Sequence, residues 1–466
     1  MSSTTLTTSQ TIVPPPARRD GKPDPKWAWA AYQPDADHPW NLPLAAHLMR
    51  RAAFGASWQQ LQSALEDGPQ TTIDRIVRPE ADVAAFDKSL DEYDNAAGRS
   101  GNTVALRAWW LRRIILTPFP LQEKMTLFWH SRLGISNDRV KDAAMMAGHI
   151  RLLRGQALGN YTELLDGVMN DPAIFLGYDA QSSRKALPNE NLPRQLLARL
   201  TLGPEHFGQE DLREASRAFT GWFVLRGDLR FFEREHDTGP KTVLGKKGNW
   251  TARDVVRIVL EDPASPRMLV RELYRWFISE SAEPDSSLLD PLTDLLAEDY
   301  NVGRVVETML RSNLFFSSEA YRQRVKSPVE YAVGIVKGLA GTVPTLPLGN
   351  DLAGLGQNLF HPPTTKGWVG GRYWLNAATV LGRANLAHAM LAPKGAYGGK
   401  LDPSKTLKDN DRSTPEAAAQ FFVDLFLQND IPQDVSQSLA SLSDLNDQSV
   451  REYVQRVVTI AEFQLD

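Results

Sequence analysis

Apolar residues recur every three or four positions through most of the chain, the spacing that lines one face of an α-helix. Clear runs are TVALRAWWLRRIILT, PLQEKMTLFWHSRLG, QEDLREASRAFTGWF and SVREYVQRVVTIAEF. In the third, Leu212, Ala215, Phe219 and Trp222 form one stripe while Arg213, Glu214 and Arg217 lie off it, as for a helix laid on a core. The same period resumes in TARDVVRIVLED, with Thr251 as the expected N-cap, and continues through PRMLVRELYRWFIS, NVGRVVETMLRSN and SPVEYAVGIVKGLAG. One stretch departs from it. WFVLRGDLRFFEREHDTGPKTVLG carries β-type runs on either side of a Gly-Asp turn, then a second turn at Asp237 to Pro240. The fold class predicted is mainly α: a large multi-helix domain with a small β-hairpin or meander inserted near residues 221–245. Near 358–375, LFHPPTTKGWVGGRYWLN is too rich in Pro and Gly for regular helix, yet it holds large aromatics that should be buried. It reads as an ordered loop leading into the helix AATVLGRANLAHAML.

At 466 residues without an obvious repeat, the chain can bury a substantial core. Residues 27–466 are read as one large helical domain, or as two helical lobes joined near 204–250. Residues 1–26 are dominated by Ser, Thr and Pro, cannot bury enough apolar surface to offset ordering entropy, and are expected to be a disordered tail. They lack the basic start and apolar run of a secretory leader, and no later segment is a bilayer-length apolar stretch, so a soluble, cytoplasmic protein is expected. The 52 basic and 56 acidic residues give a net charge of -4, which argues against general electrostatic capture of nucleic acid or anionic membrane. Any charge-based function must be local. With no cysteine there is no disulfide, thiolate nucleophile or Cys-bound metal; a metal would need His, Asp, Glu or Asn ligands.

Three polar constellations could carry chemistry. In SRKALPNENLPRQLLARLTLG, Pro193 suits a first helical turn, so the helix is expected to start at Leu192 with Asn191 as N-cap. Asn189 and Glu190 then lie on the loop before it, with Arg194 able to turn back toward them. Glu190 could be a helix-dipole partner, a counter-ion of Arg194 or a general base. In EHDTGPKTVLG, His236 and Asp237 could share a proton or a metal and Lys241 could hold an anion; equally, Asp237 could close an Asx turn with His236 at a strand end. His130, in FWHSRLGIS, is either a satisfied core histidine or a ligand, haem iron being one candidate. The 361–376 loop adds His361, Lys366, Trp368, Arg372, Trp374 and Asn376, a mixture of aromatic walls and donors suited to sugar or phosphate, although packing explains the tryptophans equally well. There is no G-x-S-x-G elbow, phosphate-binding P-loop, H-E-x-x-H or EF-hand loop.

Taken in order, AAHLMRRAAFGAS, LFWHSRLGIS, DPAIFLGYDAQSSRKALPNENLPRQLLARLTLG, DLREASRAFTGW, HDTGPKTVLGKKGNW, SPVEYAVG and LGQNLFHPPTTKGWVGGRYWLN resemble the bacterial domain-of-unknown-function 1800 family over nearly everything after the tail. That family's pattern usually reads N-E-N-x-A-R-E-L-x-E-L-x-T-L-G. Asn189, Glu190, Asn191 and Arg194 match it, while Pro193 replaces Ala and Gln195 and Ala198 stand where acids are common. If either acid serves relatives as ligand or base, this chain is altered there. His236, Asp237, Gly239 and Lys241 match H-D-x-G-x-K, and Lys366, Gly367 and Trp368 match K-G-W. The resemblance also implies a partner, since such proteins are often encoded beside one of sulfatase and alkaline-phosphatase-like fold bearing a twin-arginine signal, which would allow export in complex.

The leading expectation is a hydrolase or transferase acting on a sugar or phosphate ester, with a divalent metal as a conceivable cofactor. Its cleft would join the Asn189–Arg194 segment to the His236–Lys241 turn under the Trp-rich loop. Glu190 or Asp237 would be the general base, His236 a proton shuttle or metal ligand, and Asn189, Arg194, Lys241, Lys366 and Trp368 would bind substrate. The alternative is a non-enzymatic binding or assembly protein in which the same groups form a buried network.

Overall fold

The computed structural model describes residues 22–280, 283–439 and 441–466. Most of the tail expected at residues 1–26 lies outside these; its last residues do not fit that expectation, because a short helix, Pro25–Trp29, starts on the side-chain cap of Asp24. Pro25 suits the first turn, and Trp27 and Trp29 pack on the core.

The helical runs fold as their period requires. Thr103–Leu116, Pro120–Leu133, Gln209–Ala218, Ala252–Leu260, Ala264–Phe277, Val302–Arg311, Pro328–Gly338 and Asp447–Thr459 are all α-helices. Five of these starts are set by short polar side chains that accept backbone N–H groups, Asn102, Thr251, Asn301, Ser327 and Asn446. One contiguous apolar core runs through them. Among the described residues, no helix is long and apolar enough to cross a membrane.

Two small antiparallel sheets stand in the place of the expected β insertion. Strands β1 (Trp222–Leu225) and β2 (Asp228–Phe231) pair across Arg226 and Gly227, both with positive φ, as a two-residue hairpin turn requires. The turn is therefore one residue earlier than Gly-Asp. Strands β3 (Lys241–Val243) and β4 (Lys246–Gly248) pair across Leu244 and Gly245, again both at positive φ. The preceding helix stops at Ala218, so Trp222 belongs to β1 and only Leu212, Ala215 and Phe219 of its stripe sit in the core.

Two nodes of buried charge centre on Glu123 and Glu330. Glu123 accepts from Arg113 Nε at 2.5 Å, Arg154 Nε at 2.6 Å and Trp110 Nε1 at 2.8 Å. Glu330 accepts from Lys124 Nζ at 2.6 Å and, through its other oxygen, from the Ser327 N–H at 2.8 Å, closing a capping box with Ser327. Burial alone would raise the Glu330 pKa, but the Lys124 ammonium and the Arg324 guanidinium overcome it and hold the carboxyl far below the usual range.

A carboxylate depressed in this way contributes stability above its unfolded value, about 4.3, and loses it as pH falls below that value. Glu330→Gln leaves the Lys124 ammonium buried beside a neutral amide, and a loss of about 3–5 kcal/mol is expected in urea melts at neutral pH. The difference between variant and wild type should shrink on acidification; a constant difference down to strongly acidic pH would contradict the ion-pair account.

Candidate functional site

The Asn189–Arg194 segment is held locally. Helix Asn191–Gln195 starts one residue earlier than expected, with Glu190 rather than Asn191 at the cap, because Asn189 Oδ1 accepts the Asn191 N–H at 2.8 Å and takes the turn-closing role. The Asn189 amide donates to the Asp179 carbonyl. Glu190 accepts from Arg194 at 2.7 Å and from Gln209, which begins the next helix. The Glu190–Arg194 pair is half exposed and four residues apart, an arrangement worth roughly 0.3–0.5 kcal/mol.

The His236–Lys241 turn is held more firmly. Arg217 grips Asp237 with both forks, Nε to Oδ2 at 2.7 Å and Nη2 to Oδ1 at 3.1 Å, and also binds Glu214. Asp237 Oδ1 accepts the Gly239 N–H at 2.8 Å, so the Asx turn is present. The Arg217 hydrogen bond outweighs the opposing effect of burial and lowers the Asp237 pKa. The buried Lys241 donates to the carbonyls of Asp237 and Gly239, and His236 Nδ1 lies 2.9 Å from the Thr220 carbonyl. Glu190 and Asp237 thus contact opposite ends of helix Gln209–Ala218, through Gln209 and Arg217, about 12 Å apart at 1.5 Å per residue.

His130 is fully buried, and its Nε2 accepts the Phe360 N–H at 3.1 Å, among the rings of Trp110, Phe360 and Trp368. Burial, with lesser contributions from His149 and His361, pushes its pKa down to about 3. With Nε2 committed as acceptor, the proton sits on Nδ1, so neither nitrogen presents a free lone pair to haem iron. Among the described residues no group of three or more His, Asp or Glu side chains is placed to hold a metal ion.

Lys366 and Trp368 do reach a common hollow, a cleft of about 490 Å³ built by five segments. Helix Ala264–Phe277 supplies Met268, Arg271, Glu272, Arg275 and Trp276, a stripe at i, i+3, i+4, i+7 and i+8 opposite its buried face of Leu269, Val270, Leu273 and Phe277. Helix Pro120–Leu133 supplies Leu127, Phe128, Ser131 and Arg132; the residues just before and at the cap of helix Pro328–Gly338 supply Arg324 and Ser327. Ala198 and Arg199 come from Leu196–Thr201, one turn of π-helix continuing from Asn191–Gln195; the wide turn rotates the following side chains relative to a regular helix. The polar crowd of that segment thus braces a helix whose cleft-facing residues come later.

The Trp-rich loop closes the fifth side. Gly367 has φ of 73°, and a Cβ there would lie 1.9 Å from the Ser131 carbonyl oxygen; one on Gly134, the left-handed end of helix Pro120–Leu133, would lie 2.5 Å from the Thr365 oxygen. Only glycine at both places lets the loop lie flat on the helix end. Trp374 is buried and Trp368 half-buried, as expected, but Tyr373 is 76% exposed, contrary to the expectation for the loop's aromatics.

The cleft is electrostatically one-sided. Arg132, Arg199, Arg271, Arg275, Arg324 and Lys366 line it with two carboxylates, Glu272 and Glu280, and Arg275 also pairs with Glu283 at 3.0 Å outside the lining. Arg132 pairs with Glu272 at 3.0 Å and hydrogen-bonds the Arg199 carbonyl, while Arg199 donates back to the Arg132 carbonyl. Burial and then the neighbouring Arg132 charge lower the Arg199 pKa. Arg324 lies 3.9 Å from Glu280 and 3.8 Å from Glu330, within ion-pair range but beyond hydrogen bonding. Nε of Arg271, Nε and Nη1 of Arg324, and Nε1 of Trp276 and Trp368 are buried and meet no hydrogen-bond acceptor among the described residues. Buried N–H groups without acceptors are costly, about 1–3 kcal/mol each.

The family model for proteins of unknown function (DUF1800) matches residues 47–465. The chain belongs to that family. The match spans every segment that builds the cleft. No curated protein and no solved structure matches the chain.

Most of these cleft residues escaped the sequence reading. The signal that could have found them is the second stripe of VRELYRWF, where Arg271, Glu272, Arg275 and Trp276 form a charged and aromatic face on a helix already buried on its other side.

Gly367→Ala should cost about 2–4 kcal/mol, from left-handed strain and overpacking together, and should shift Trp fluorescence as Trp368 leaves its seat. Gly101→Ala is the control, since Gly101 also has positive φ (73°) but open space around its Cβ position. Equal losses for the two variants would show that loop docking adds nothing.

Proposed function

We propose that the cleft binds and acts on a sugar or phosphate ester that carries negative charge, as a hydrolase or transferase. The observation that carries this reading is the set of buried guanidinium and indole N–H groups without acceptors on one hollow, with six basic side chains against two carboxylates. Arg271 and Arg324 would take the anionic group, where low dielectric strengthens each charge-assisted bond. Trp368, and the face of Trp276 that Arg324 does not cover, would take the flatter, apolar side of a sugar ring.

Glu280 is the carboxylate assigned the general-base role. Its Oε1 accepts the Val325 N–H at 3.0 Å, which orients it, and it passes Gly370 and Gly371, where the absence of side chains leaves room beside it. In hydrolysis it takes a proton from water; the water oxygen bonds to phosphorus as the P–O ester bond breaks, or to the anomeric carbon as the glycosidic C–O bond breaks, and the leaving oxygen takes a proton from solvent. The guanidinium groups would stabilise charge gathering on the ester oxygens. Glu190 and Asp237, considered as bases above, already have Arg194 and Arg217 as partners and do not line this hollow.

Calorimetry with inorganic phosphate and with glucuronate, alongside turnover of p-nitrophenyl phosphate and p-nitrophenyl glucuronide, tests the reading. Arg271→Ala should weaken anion binding about tenfold or more. Glu280→Gln should keep binding and lower turnover about a hundredfold. Binding without turnover on any ester would return the protein to the binding and assembly class; no binding of either anion would remove the proposal.

A further inference from the structure

Next to the cleft, the chain exposes an apolar surface that the core does not use. Val369 is 75% exposed, Tyr373 76%, Val380 49% and Leu381 63%; they lie on the Trp-rich loop and the first turns of helix Ala377–Leu391. Val369 itself lines the cleft mouth with Gly370 and Trp374, so patch and cleft are continuous. Between Asp351 and Asp402 the sequence contains no acidic residue at all, although acids are common elsewhere, and Lys366 and Arg372 are exposed within that stretch. Exposed aliphatic and Tyr side chains on a stretch that carries Lys366 and Arg372 and no acid of its own, with Glu280 set behind Gly370 and Gly371 in the cleft, suit an interfacial anchor on an anionic bilayer. The chain's net charge of -4 does not provide the attraction; this segment does, locally.

We infer that this face docks on an anionic phospholipid surface, with Val369, Tyr373, Val380 and Leu381 entering the headgroup boundary and the cleft opening toward the lipid phosphates. The inference rests on the anion-binding reading of the cleft and narrows its ligand to a phosphate ester presented at a membrane surface. Charge selects this occupant over an apolar protein face: burying Lys366 and Arg372 against uncharged surface would cost desolvation with nothing in return, whereas lipid phosphates pair with them.

Flotation of the full chain with phosphatidylcholine vesicles, with and without phosphatidylglycerol, tests it beside calorimetry with inorganic phosphate. Binding is expected to the phosphatidylglycerol vesicles only and to fall at high salt. Leu381→Asp and Tyr373→Ala, both at exposed positions, should each weaken vesicle binding about tenfold while phosphate affinity stays at the wild-type value. Phosphate binding without vesicle binding would overturn this inference and leave the cleft reading standing. Equal binding to both vesicle types would overturn it too, as would a dimer that Leu381→Asp dissociates in the absence of vesicle binding. Loss of phosphate binding in the wild type would instead strike the cleft reading itself.

Discussion

The buried contact between Lys124 and Glu330 governs the rest of the site. Lys124 stands on the helix that carries Phe128, Ser131 and Arg132 into the cleft, and Glu330 closes the cap that sets Ser327 and the approach of Arg324. One pair of opposite charges therefore fixes the spacing between two walls. Taking either charge out of water costs several kcal/mol, and the cost is met only while the partner and the Ser327 N–H remain in place. Geometry that dependent on pairing resists drift, which suits a hollow in which several buried N–H groups lack acceptors.

The cleft reverses the rule that its frame obeys. Around Glu123 and Glu330, each buried carboxylate has several donors. In the cleft, guanidinium and indole N–H groups of Arg271, Arg324, Trp276 and Trp368 meet no acceptor among the described residues. Buried side-chain atoms without partners occur elsewhere in the molecule too, around Arg50, Arg51 and Asp466 for example, but those of Arg271, Arg324, Trp276 and Trp368 line one open hollow, where a ligand can reach them. The two glycines that let the Trp-rich loop lie against helix Pro120–Leu133 are part of the same construction, since they bring Trp368 over the hollow.

The segments singled out first have a different part. Asn189, Glu190 and Arg194 organise the entry to a helix, and Asp237, Arg217 and Lys241 tie a hairpin to the end of another. Their polar density is answered by short-range partners. What lies beyond them, the π-helical turn bearing Ala198 and Arg199, faces the cleft. Ala198 lines that hollow beside Arg199.

Periodicity, caps and turn residues alone determined the helical class, the positions of ten of the twenty-three α-helices among the described residues, the β insertion and the ordered loop at 358–375, because these depend on neighbours within a few residues. The hairpin turn at Arg226 and Gly227 was missed by one position, since Arg at positive φ has no local signature. Only the tertiary structure decided the site. Arg132, Arg199, Arg271 and Arg324 come from four separate segments. In one dimension, a solvated arginine cannot be told from one whose N–H groups are buried without a partner. That distinction is made by what the distant chain places opposite, and no local pattern contains it.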